Sequence, residues 1–206
     1  MRVIAGSARG CTLLTPKGLD TRPTSDRMKE DLFNILAPYI PDASFLDLYS
    51  GSGAIGIEAL SRGAREAVFV DISREAIATI EANLRKTRLI EYAEVLHMNA
   101  LAALQQISNR GGKNFSIIFL DPPYNGWKEL NSSLSFLAQG GLLAMEGIVV
   151  IECTTEKDLD KDLEIHSQDY QITFPSLQIY RKKVYTRTQF GFYKIDRIDG
   201  IEGSVT

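Results

Sequence analysis

Residues Phe45 to Gly63 have the sequence FLDLYSGSGAIGIEALSRG. An apolar strand ending at Tyr49 leads into a glycine-rich turn, and a helix from Ala54 to Arg62 follows. The turn contains the pattern G-x-G-x-x-G, in which glycines let the backbone bend tightly beside a ligand and the helix N-terminus offers unpaired N–H groups. Alone, this pattern is a weak signal, because a purely structural turn can contain it. A strand, a glycine turn and a helix in this order favour a nucleotide-binding α/β fold.

The alternation of strand and helix continues along the chain. Further strands are predicted at 67–70, 93–97, 116–120 and 148–152, with amphipathic helices of about ten residues between them. Such connections form right-handed crossovers, and they produce a parallel sheet with helices on both faces. After residue 160 the pattern changes. Leu163 to Phe174 and Leu177 to Tyr185 are predicted strands with no helix between them, so we expect the sheet to end antiparallel.

Length and composition limit the function classes. A chain of 206 residues suits one domain with a small appendage, and its longest apolar runs of four or five residues are far too short to span a membrane. The first six residues have no apolar core of a signal peptide. Cys11 and Cys153 are far apart and outside any metal-type spacing, so we expect no metal site. These features predict a cytoplasmic protein with reduced thiols.

Charge is distributed unevenly along the chain. The net charge is -3, but residues 1–29 have six basic and two acidic side chains, whereas the other 177 residues have 17 and 24. A basic segment beside an acidic body is typical of a nucleic-acid contact, although a solvated segment would have the same pattern. We divide the chain into a basic N-terminal extension at 1–23, an α/β domain at 24–185 and a tail of unknown role at 186–206.

Two carboxylates accompany the glycine turn. Asp71 ends the second predicted strand, 20 residues after Gly51, where a carboxylate can accept both hydroxyls of a ribose. The turn and Asp71 together predict an adenosine-type site. Asp47 lies four residues before Gly51, which differs from the dinucleotide fingerprint. Its charge would repel a pyrophosphate but suits a ligand with a cationic amino group.

A second motif follows the fourth predicted strand, at Asp121, Pro122, Pro123 and Tyr124. Ligands bind at the carboxyl ends of such strands, so this motif and the glycine turn share one crevice. Asp and Pro also favour simple turns, but this combination is more specific. Proline lacks an N–H, so a carboxylate and a backbone carbonyl can accept both hydrogens of a planar amino group. The nitrogen lone pair is then free to attack an electrophile, while Tyr124 can stack on a base.

These motifs resemble the S-adenosylmethionine site and the amino-methylation motif of class I methyltransferases. Two N-terminal stretches narrow the resemblance, RVIAGSARG at 2–10 and RPTSDRMKEDLFN at 22–34. They are similar to the RsmD family, bacterial enzymes that methylate N2 of a guanine in small-subunit 16S rRNA. The resemblance covers residues 1–182, and Asp71 stands where that family commonly has glutamate.

The resemblance implies a Rossmann-like α/β fold with a seven-stranded, mostly parallel sheet, an antiparallel C-terminal strand and helices on both faces. The implied cofactor-binding residues are Asp47, Tyr49, Ser50, Gly51, Ser52, Gly53, Asp71, Ile72, Asn99 and Ala100. Within this set the glycine turn lines the methionine end, Asp71 binds the ribose and Ile72 packs on the adenine. Asn99 and Ala100 meet the adenine edge, although Asn99 also fits as a helix cap. The implied catalytic residues, which hold the target base, are Asp121, Pro122, Pro123 and Tyr124.

The implied reaction is in-line attack of an exocyclic amine on the methyl group of S-adenosylmethionine, in which positioning dominates the rate enhancement. The expected partner is 16S rRNA, free or within an assembling small subunit, and the expected protein is a monomer. The basic extension is predicted to contact RNA through Arg9, Arg22 and Arg27. Arg27 has an alternative, because it can pair with Glu30 or Asp31 on its own helix.

Other functions share parts of these motifs. DNA adenine and protein-amide methyltransferases have the same Asp- or Asn-Pro-Pro-aromatic motif, and Asp121 disfavours the protein-glutamine type. An RNA-binding module without turnover is disfavoured by the intact motif. An NAD-dependent dehydrogenase is disfavoured by Asp47. The amino group alone does not select guanine, since adenine and cytosine also have one, so guanine rests on the resemblance of the N-terminal stretches.

Overall fold

The structure is a computed structural model that describes residues 1–16, 25–123, 126–139, 141–155 and 177–195. Its strands are β1 (Ser44–Leu48), β2 (Glu66–Asp71), β3 (Ala93–His97), β4 (Phe115–Leu120), β5 (Leu143–Thr154), β6 (Leu177–Val184) and β7 (Thr188–Ile195). Its helices are α1 (Asp26–Leu36), α2 (Ala54–Ser61), α3 (Arg74–Thr87), α4 (Ala100–Arg110) and α5 (Trp127–Ala138), with short 3-10 turns at Ala37–Tyr39 and Ile90–Tyr92. Among the described residues, no helix is both long and apolar enough to cross a membrane.

All seven strands form one sheet in the order β3-β2-β1-β4-β5-β7-β6. β1 to β5 pair in parallel, and β7 runs antiparallel to both of its neighbours. The strand order reverses between β1 and β4, so the loops that leave these two strands diverge and open a crevice at their carboxyl ends. The predicted Rossmann-like, mostly parallel sheet with an antiparallel C-terminal strand is confirmed.

Helices cover both faces of the sheet. Alternate residues of β1 point to opposite sides: Phe45 joins an apolar cluster with α1, α2 and α3, whereas Leu46 joins a second cluster with α4 and α5. All five residues of β1 are buried, as expected of a central strand covered on both faces. This two-layered covering confirms the predicted arrangement of helices.

The division of the chain at residue 185 is wrong. Residues 188–195, which we assigned to a tail, form β7 between β5 and β6, and Phe190 and Phe192 are completely buried. These two phenylalanines are two residues apart, so they point to the same face of the strand and enter the core beside α1 and α2. The predicted strand from Leu163 to Phe174 lies outside the described residues.

The N-terminal segment is not an extension either, as far as it is described. Residues 1–16 form a hairpin in which Arg2 bridges Thr12, and Val3 and Leu13 are buried in the core. Gly6 packs so closely on the carbonyl of Ser61 that a Cβ atom at this position would collide with it. The hairpin is therefore part of the α/β domain.

A buried carboxylate fastens this hairpin. Glu58, in α2, has no exposed surface and accepts hydrogen bonds from the backbone N–H groups of Ile4 (2.8 Å) and Ala5 (3.0 Å). Lys29 of α1, also fully buried, lies 3.0 Å from it, and Arg62 lies 2.8 Å from it. The Lys29 ammonium also donates to the carbonyl of Arg2 at 2.6 Å. One carboxylate thus joins α1, α2 and the N-terminal hairpin.

We expect Glu58→Ala to lower the free energy of unfolding by about 3–5 kcal/mol, because it leaves a buried ammonium and two backbone N–H groups without their acceptor. The matched control is Glu81→Ala, which removes a carboxylate that pairs with Arg85 on the exposed face of α3. That change should cost less than about 1 kcal/mol. Urea unfolding of both variants measures the difference. Equal losses would show that the buried pairing does not hold the hairpin.

Candidate active site

A cavity of about 810 Å³ opens at the carboxyl ends of the parallel strands. Its walls come from the loops after β1, β2, β3 and β4, from the start of α5 and from the N-terminal hairpin. The predicted site residues that line it are Tyr49, Ser50, Gly51, Ser52, Asp71, Ile72, Asn99, Ala100, Asp121 and Pro123. Both predicted motifs therefore open onto one cavity, as the sequence analysis expected.

The turn after β1 needs its glycines. Gly51 and Gly53 have φ angles of 56° and 76°, in the left-handed region that glycine adopts without a steric penalty. The N–H of Gly53 donates to the carbonyl of Ser50 at 2.7 Å and closes the turn just before α2. A Cβ at Gly56 would collide with the ring of Phe69, so this third glycine lets α2 pack closely on β2. Each of the three glycines of the motif is therefore needed for a different structural reason.

Asp71 connects this turn to the next loop. One carboxylate oxygen accepts the N–H of Gly51 at 2.9 Å, and the other accepts the N–H of Ser73 at 2.8 Å. Ser73 in turn caps α3 by accepting the N–H of Ala76. Each carboxylate oxygen has more than one lone pair, so Asp71 can still accept hydrogen bonds from a ligand in the cavity.

Asp47 lies behind the cavity wall. It is only 2% exposed, and its carboxylate accepts the N–H of Gly56 at 3.0 Å. Its pKa is raised to about 8, chiefly by burial; the charges of Asp121 and Asp71 also raise it, and the hydrogen bond from Gly56 lowers it. Gly53 also stays behind the wall. Asp47 and Gly53 therefore support the turn from within, and their predicted contact with the methionine end of a cofactor stays a prediction.

Asp121 opens into the cavity immediately after β4. It is accessible from the cavity, yet the protein surrounding the carboxyl group desolvates it and raises its pKa to about 7. Pro123 also lines the cavity, and its carbonyl accepts the N–H of Gly126 at 2.7 Å in the turn that leads to α5. Pro122 is half-buried and does not line the cavity, and Tyr124 lies outside the described residues.

The residues predicted to contact the adenine also line the cavity. Ile72 is an apolar side chain that is 71% exposed, which suits packing on a planar ring. Asn99 lines the cavity and also caps α4, because its side-chain oxygen accepts the N–H of Ala102 at 2.8 Å. The two alternatives for Asn99 are therefore compatible. His97 lies beside them and makes a hydrogen bond with the carbonyl of Ile72 at 2.9 Å.

The lining residues that were not predicted include two groups from elements outside the predicted site. Lys128, Glu129 and Ser132 come from α5, and their position just after the Asp-Pro-Pro motif was an available signal. Met1, Thr15 and Pro16 come from the two ends of the N-terminal hairpin and also line the cavity. No local pattern indicates this second group, because only packing on α2 and α3 carries the hairpin to the cavity.

The predicted RNA-contact residues have different surroundings. Arg9 and Arg27 are exposed, and Arg22 lies outside the described residues. Two other basic residues of the N-terminal segment have acidic partners, since Arg2 pairs with Asp26 at 3.0 Å and Lys29 is buried against Glu58. The N-terminal segment therefore presents less positive charge than its composition predicts.

The sequence matches the model of a family described as "Conserved hypothetical protein 95" over residues 1–194. The chain belongs to the RsmD family. Ribosomal RNA small subunit methyltransferase D of Escherichia coli K12 is 38% identical over 159 residues, which are 77% of each chain. YlbH of Bacillus subtilis, provisionally named as an rRNA methyltransferase, is 38% identical over 194 residues, 94% of this chain and 98% of that protein.

Solved structures agree with this family assignment. An Escherichia coli protein provisionally described as a methyltransferase, yhhF, has a TM-score of 0.77 and 35% identity, covering 95% of this chain and 98% of its own. A hypothetical protein from Thermus thermophilus has a TM-score of 0.73 and 27% identity, covering 95% and 99%. The resemblance to the RsmD family and the class I methyltransferase fold predicted from the sequence are both confirmed.

The buried Asp47 predicts an unusual pH dependence in this RsmD-family protein. Asp47→Asn keeps an oxygen that can accept the Gly56 N–H, but it is neutral at every pH. In the unfolded chain an aspartate ionises near pH 3.9, whereas in the folded protein Asp47 stays protonated up to about pH 8. The contribution of Asp47 to wild-type stability therefore falls as pH rises between these values, and the variant does not share that loss.

We expect the stability of Asp47→Asn relative to wild type to rise by about 1.4 kcal/mol per pH unit between about pH 5 and pH 7. Denaturant unfolding at several pH values measures it. Near pH 3 both side chains are neutral in the folded and unfolded states, so the difference there is the internal baseline. A difference that does not change with pH would contradict a buried, protonated Asp47.

Proposed function

We propose that this protein transfers a methyl group from S-adenosylmethionine to N2 of a guanine in small-subunit 16S rRNA. One observation carries the proposal: the glycine turn with Asp71 and the Asp-Pro-Pro motif open onto the same cavity. A methyl donor and an amine held there would meet at the carboxyl ends of β1 and β4. The names of the relatives, which are rRNA small subunit methyltransferases, support rRNA as the substrate class.

The cofactor end of the cavity suits a cationic nucleoside. Asp47, Asp71 and Asp121 end or follow neighbouring strands, and they are close enough that the other two raise the pKa of Asp47. The charges of Asp71 and Asp121 repel a pyrophosphate and attract a ligand with a sulfonium or ammonium group, and a bound cation would favour ionisation of Asp47 as well. This favours S-adenosylmethionine over a dinucleotide. When bound, it would supply an electrophilic methyl group.

Different residues of the cavity would contact different parts of such a ligand. Asp71 would accept the ribose hydroxyls, Ile72 would pack on the adenine, and Asn99 and Ala100 would border its edge. Tyr49 to Ser52 would line the methionine end, with Asp47 behind them. Tyr49 is beside Ser133, and burial of its phenol raises its pKa, so it stays a neutral hydroxyl near neutral pH.

Asp121 and a proline carbonyl would orient the amine. The Asp121 carboxylate accepts one amino hydrogen, and a carbonyl accepts the other. Either proline can supply this carbonyl: Pro123 lines the cavity, and its carbonyl keeps a second lone pair while it closes the turn to Gly126, whereas the carbonyl of Pro122 directly follows Asp121. With both hydrogens held, the nitrogen lone pair points at the methyl group, and the proton released after alkylation passes to Asp121 or to water.

The start of α5 fits guanine better than adenine or cytosine. Lys128 and Glu129 line the same cavity as Asp121. Guanine presents N1–H and N2–H donors beside its O6 acceptor, so a carboxylate can accept from N1–H while an ammonium donates to O6. With its amino group held at Asp121, adenine would present an unprotonated N1 to the carboxylate and a C2–H where guanine has O6. Cytosine would present an unprotonated N3 to the carboxylate. Glu129 and Lys128 are therefore the side chains to which we assign base selection.

We expect Asp71→Ala to weaken S-adenosylmethionine binding by about 1–3 kcal/mol, or about 5- to 150-fold in Kd, because the ribose hydroxyls lose a charged acceptor. Asp71→Glu, which keeps the carboxylate, is the matched control and should lose much less. Titration calorimetry measures both affinities, and thermal unfolding checks the fold. Unchanged affinity in a folded Asp71→Ala would remove this residue from the ligand site.

The acceptor base is tested by mass spectrometry of nucleosides from 16S rRNA treated with the protein and S-adenosylmethionine. We expect N2-methylguanosine as the product and none from Asp121→Ala. The target base must leave its stack to reach Asp121, at a cost of a few kcal/mol that is smallest in a loop. N6-methyladenosine as the product would contradict guanine selection while leaving the cofactor assignment intact.

The same assay tests Glu129 once the modified nucleotide has been mapped. A synthetic RNA with 2-aminopurine at that position keeps the 2-amino group but lacks N1–H and O6. We expect wild type to prefer guanine over 2-aminopurine by about 5- to 150-fold, the 1–3 kcal/mol typical of a specific base contact. Glu129→Gln can donate to the unprotonated N1, so it should reduce or reverse that preference. An unchanged preference would remove Glu129 from base selection.

A further inference from the structure

The segment from 177 to 195 has a charge pattern that the proposed chemistry does not use. It contains five basic residues and no acidic residue, in a chain whose net charge is -3. These five are Arg181, Lys182, Lys183, Arg187 and Lys194. The segment forms the β6–β7 hairpin, whose second strand the sequence analysis assigned to a tail. Its positive charge therefore belongs to the folded domain.

The register of the sheet brings this hairpin to the edge that contains the cavity. Leu120 pairs with Ile151, Ile151 pairs with Gly191, and Gly191 pairs with Lys182, in one row across four strands. Three strand spacings correspond to about 14 Å. Leu120 directly precedes Asp121, so the backbone of Lys182 lies about that far from the strand end that holds the target amine.

The turn of the hairpin lies at the same edge. The carbonyl of Arg187 accepts the N–H of Thr155, at the end of β5, at 3.3 Å. Lys182 and Asp121 both influence the thiol of Cys153, whose pKa is raised chiefly by burial; Lys182 lowers it and Asp121 raises it. The basic hairpin and the acidic cavity therefore lie beside each other.

Exposed side chains along the edge strand β6 make the hairpin able to bind a nucleic acid. Arg181 and Lys182 are consecutive and point to opposite faces, so they border the outer edge of the sheet from both sides. Arg181, Lys182 and Arg187 are exposed, and Tyr180 is 57% exposed. Lys194 lies 5.1 Å from the centre of the Tyr180 ring. Cations that track phosphates beside an aromatic ring that stacks on a base are the combination by which proteins bind single strands.

Acidic residues of neighbouring elements limit which cations contribute. Lys183 lies 3.8 Å from Asp31 of α1, which also accepts the hydroxyl of Tyr185 at 2.9 Å. Lys194 lies 3.9 Å from Glu146. We assign phosphate contacts to Arg181, Lys182 and Arg187, which are the three exposed cations of the hairpin.

We propose that the β6–β7 hairpin is the docking surface for the single-stranded RNA next to the target nucleotide, with Arg181, Lys182 and Arg187 on its phosphates and Tyr180 stacked on a base. This inference rests on the proposed function, since it takes RNA as the substrate. A strand whose target base occupies the cavity has to cross this edge of the sheet, where the positive charge offsets the repulsion from the carboxylates.

The test compares two triple variants that remove the same charge. Arg181→Ala/Lys182→Ala/Arg187→Ala removes the three exposed hairpin cations. Arg65→Ala/Arg85→Ala/Arg110→Ala removes exposed arginines from elements next to β2 and β3, at the other end of the strand order. Affinity for transcribed 16S rRNA is measured as a function of salt. Three lost phosphate contacts on a single strand should reduce the slope of log K against log salt by about two. We expect that change, with at least about tenfold weaker binding at physiological salt, only in the hairpin variant.

Tyr180 provides a test that does not depend on charge. Tyr180→Ala should weaken RNA binding by about 5- to 150-fold without altering the salt slope, while Tyr180→Phe, which keeps the ring, should bind nearly as wild type does. S-adenosylmethionine affinity should be unchanged in every hairpin variant.

The outcomes separate this inference from the proposed function. If wild type methylates 16S rRNA but both triple variants have the same salt slope, the hairpin is not the docking surface and the function stands. If the hairpin variant loses binding to assembled small subunits but not to protein-free 16S rRNA, the partner is a ribosomal protein and the inference is wrong. If wild type methylates no RNA, the proposed function fails first.

Discussion

The buried carboxylate of Glu58 is the constraint on which the shape of the site depends. It is surrounded by two cationic side chains and two backbone N–H groups from α1, α2 and the N-terminal hairpin. A charge with no exposed surface is tolerated only when its hydrogen bonds are made, so these elements can assemble in few other ways. This arrangement also fixes the cavity wall, because α2 begins at the glycine turn and the hairpin contributes Met1, Thr15 and Pro16 to the lining.

The cavity itself is electrostatically costly in the absence of a ligand. Asp47 and Asp121 both have pKa values raised by desolvation. The charges of Asp121 and Asp71 raise the pKa of Asp47 as well. A fold selected for stability alone would not collect carboxylates here. A cationic ligand relieves this repulsion. The same field would hinder an approaching RNA backbone, which is why basic charge along the neighbouring hairpin is physically useful.

The two motifs were predictable because their residues interact with neighbours a few positions away. Gly51, Gly53 and Gly56 each meet a local requirement of a strand-turn-helix unit, and Asp71 and Asp121 end strands whose apolar runs are easy to recognise. The errors came from residues whose partners are remote. Phe190 and Phe192 are an alternating pair, but only β5 and β6 on either side make them a central strand. Lys29 contributes to the basic composition of the N-terminal segment, yet its charge is buried against Glu58.

The sequence by itself determined the order of strands and helices from β1 to β5, the glycine turn, the carboxylates at the strand ends and the family, because each depends on local pattern and spacing. Only the tertiary structure decided that Asp47 lies behind the cavity wall, that Lys128 and Glu129 enter it, and that the β6–β7 hairpin lies beside it. These placements follow from strand register and helix packing between separate elements; Leu120 and Lys182, for example, lie in one row of the sheet although 62 residues separate them in the chain. The sequence of each segment does not reveal which other segment it packs on, because any apolar residue of suitable size can satisfy burial and strand pairing.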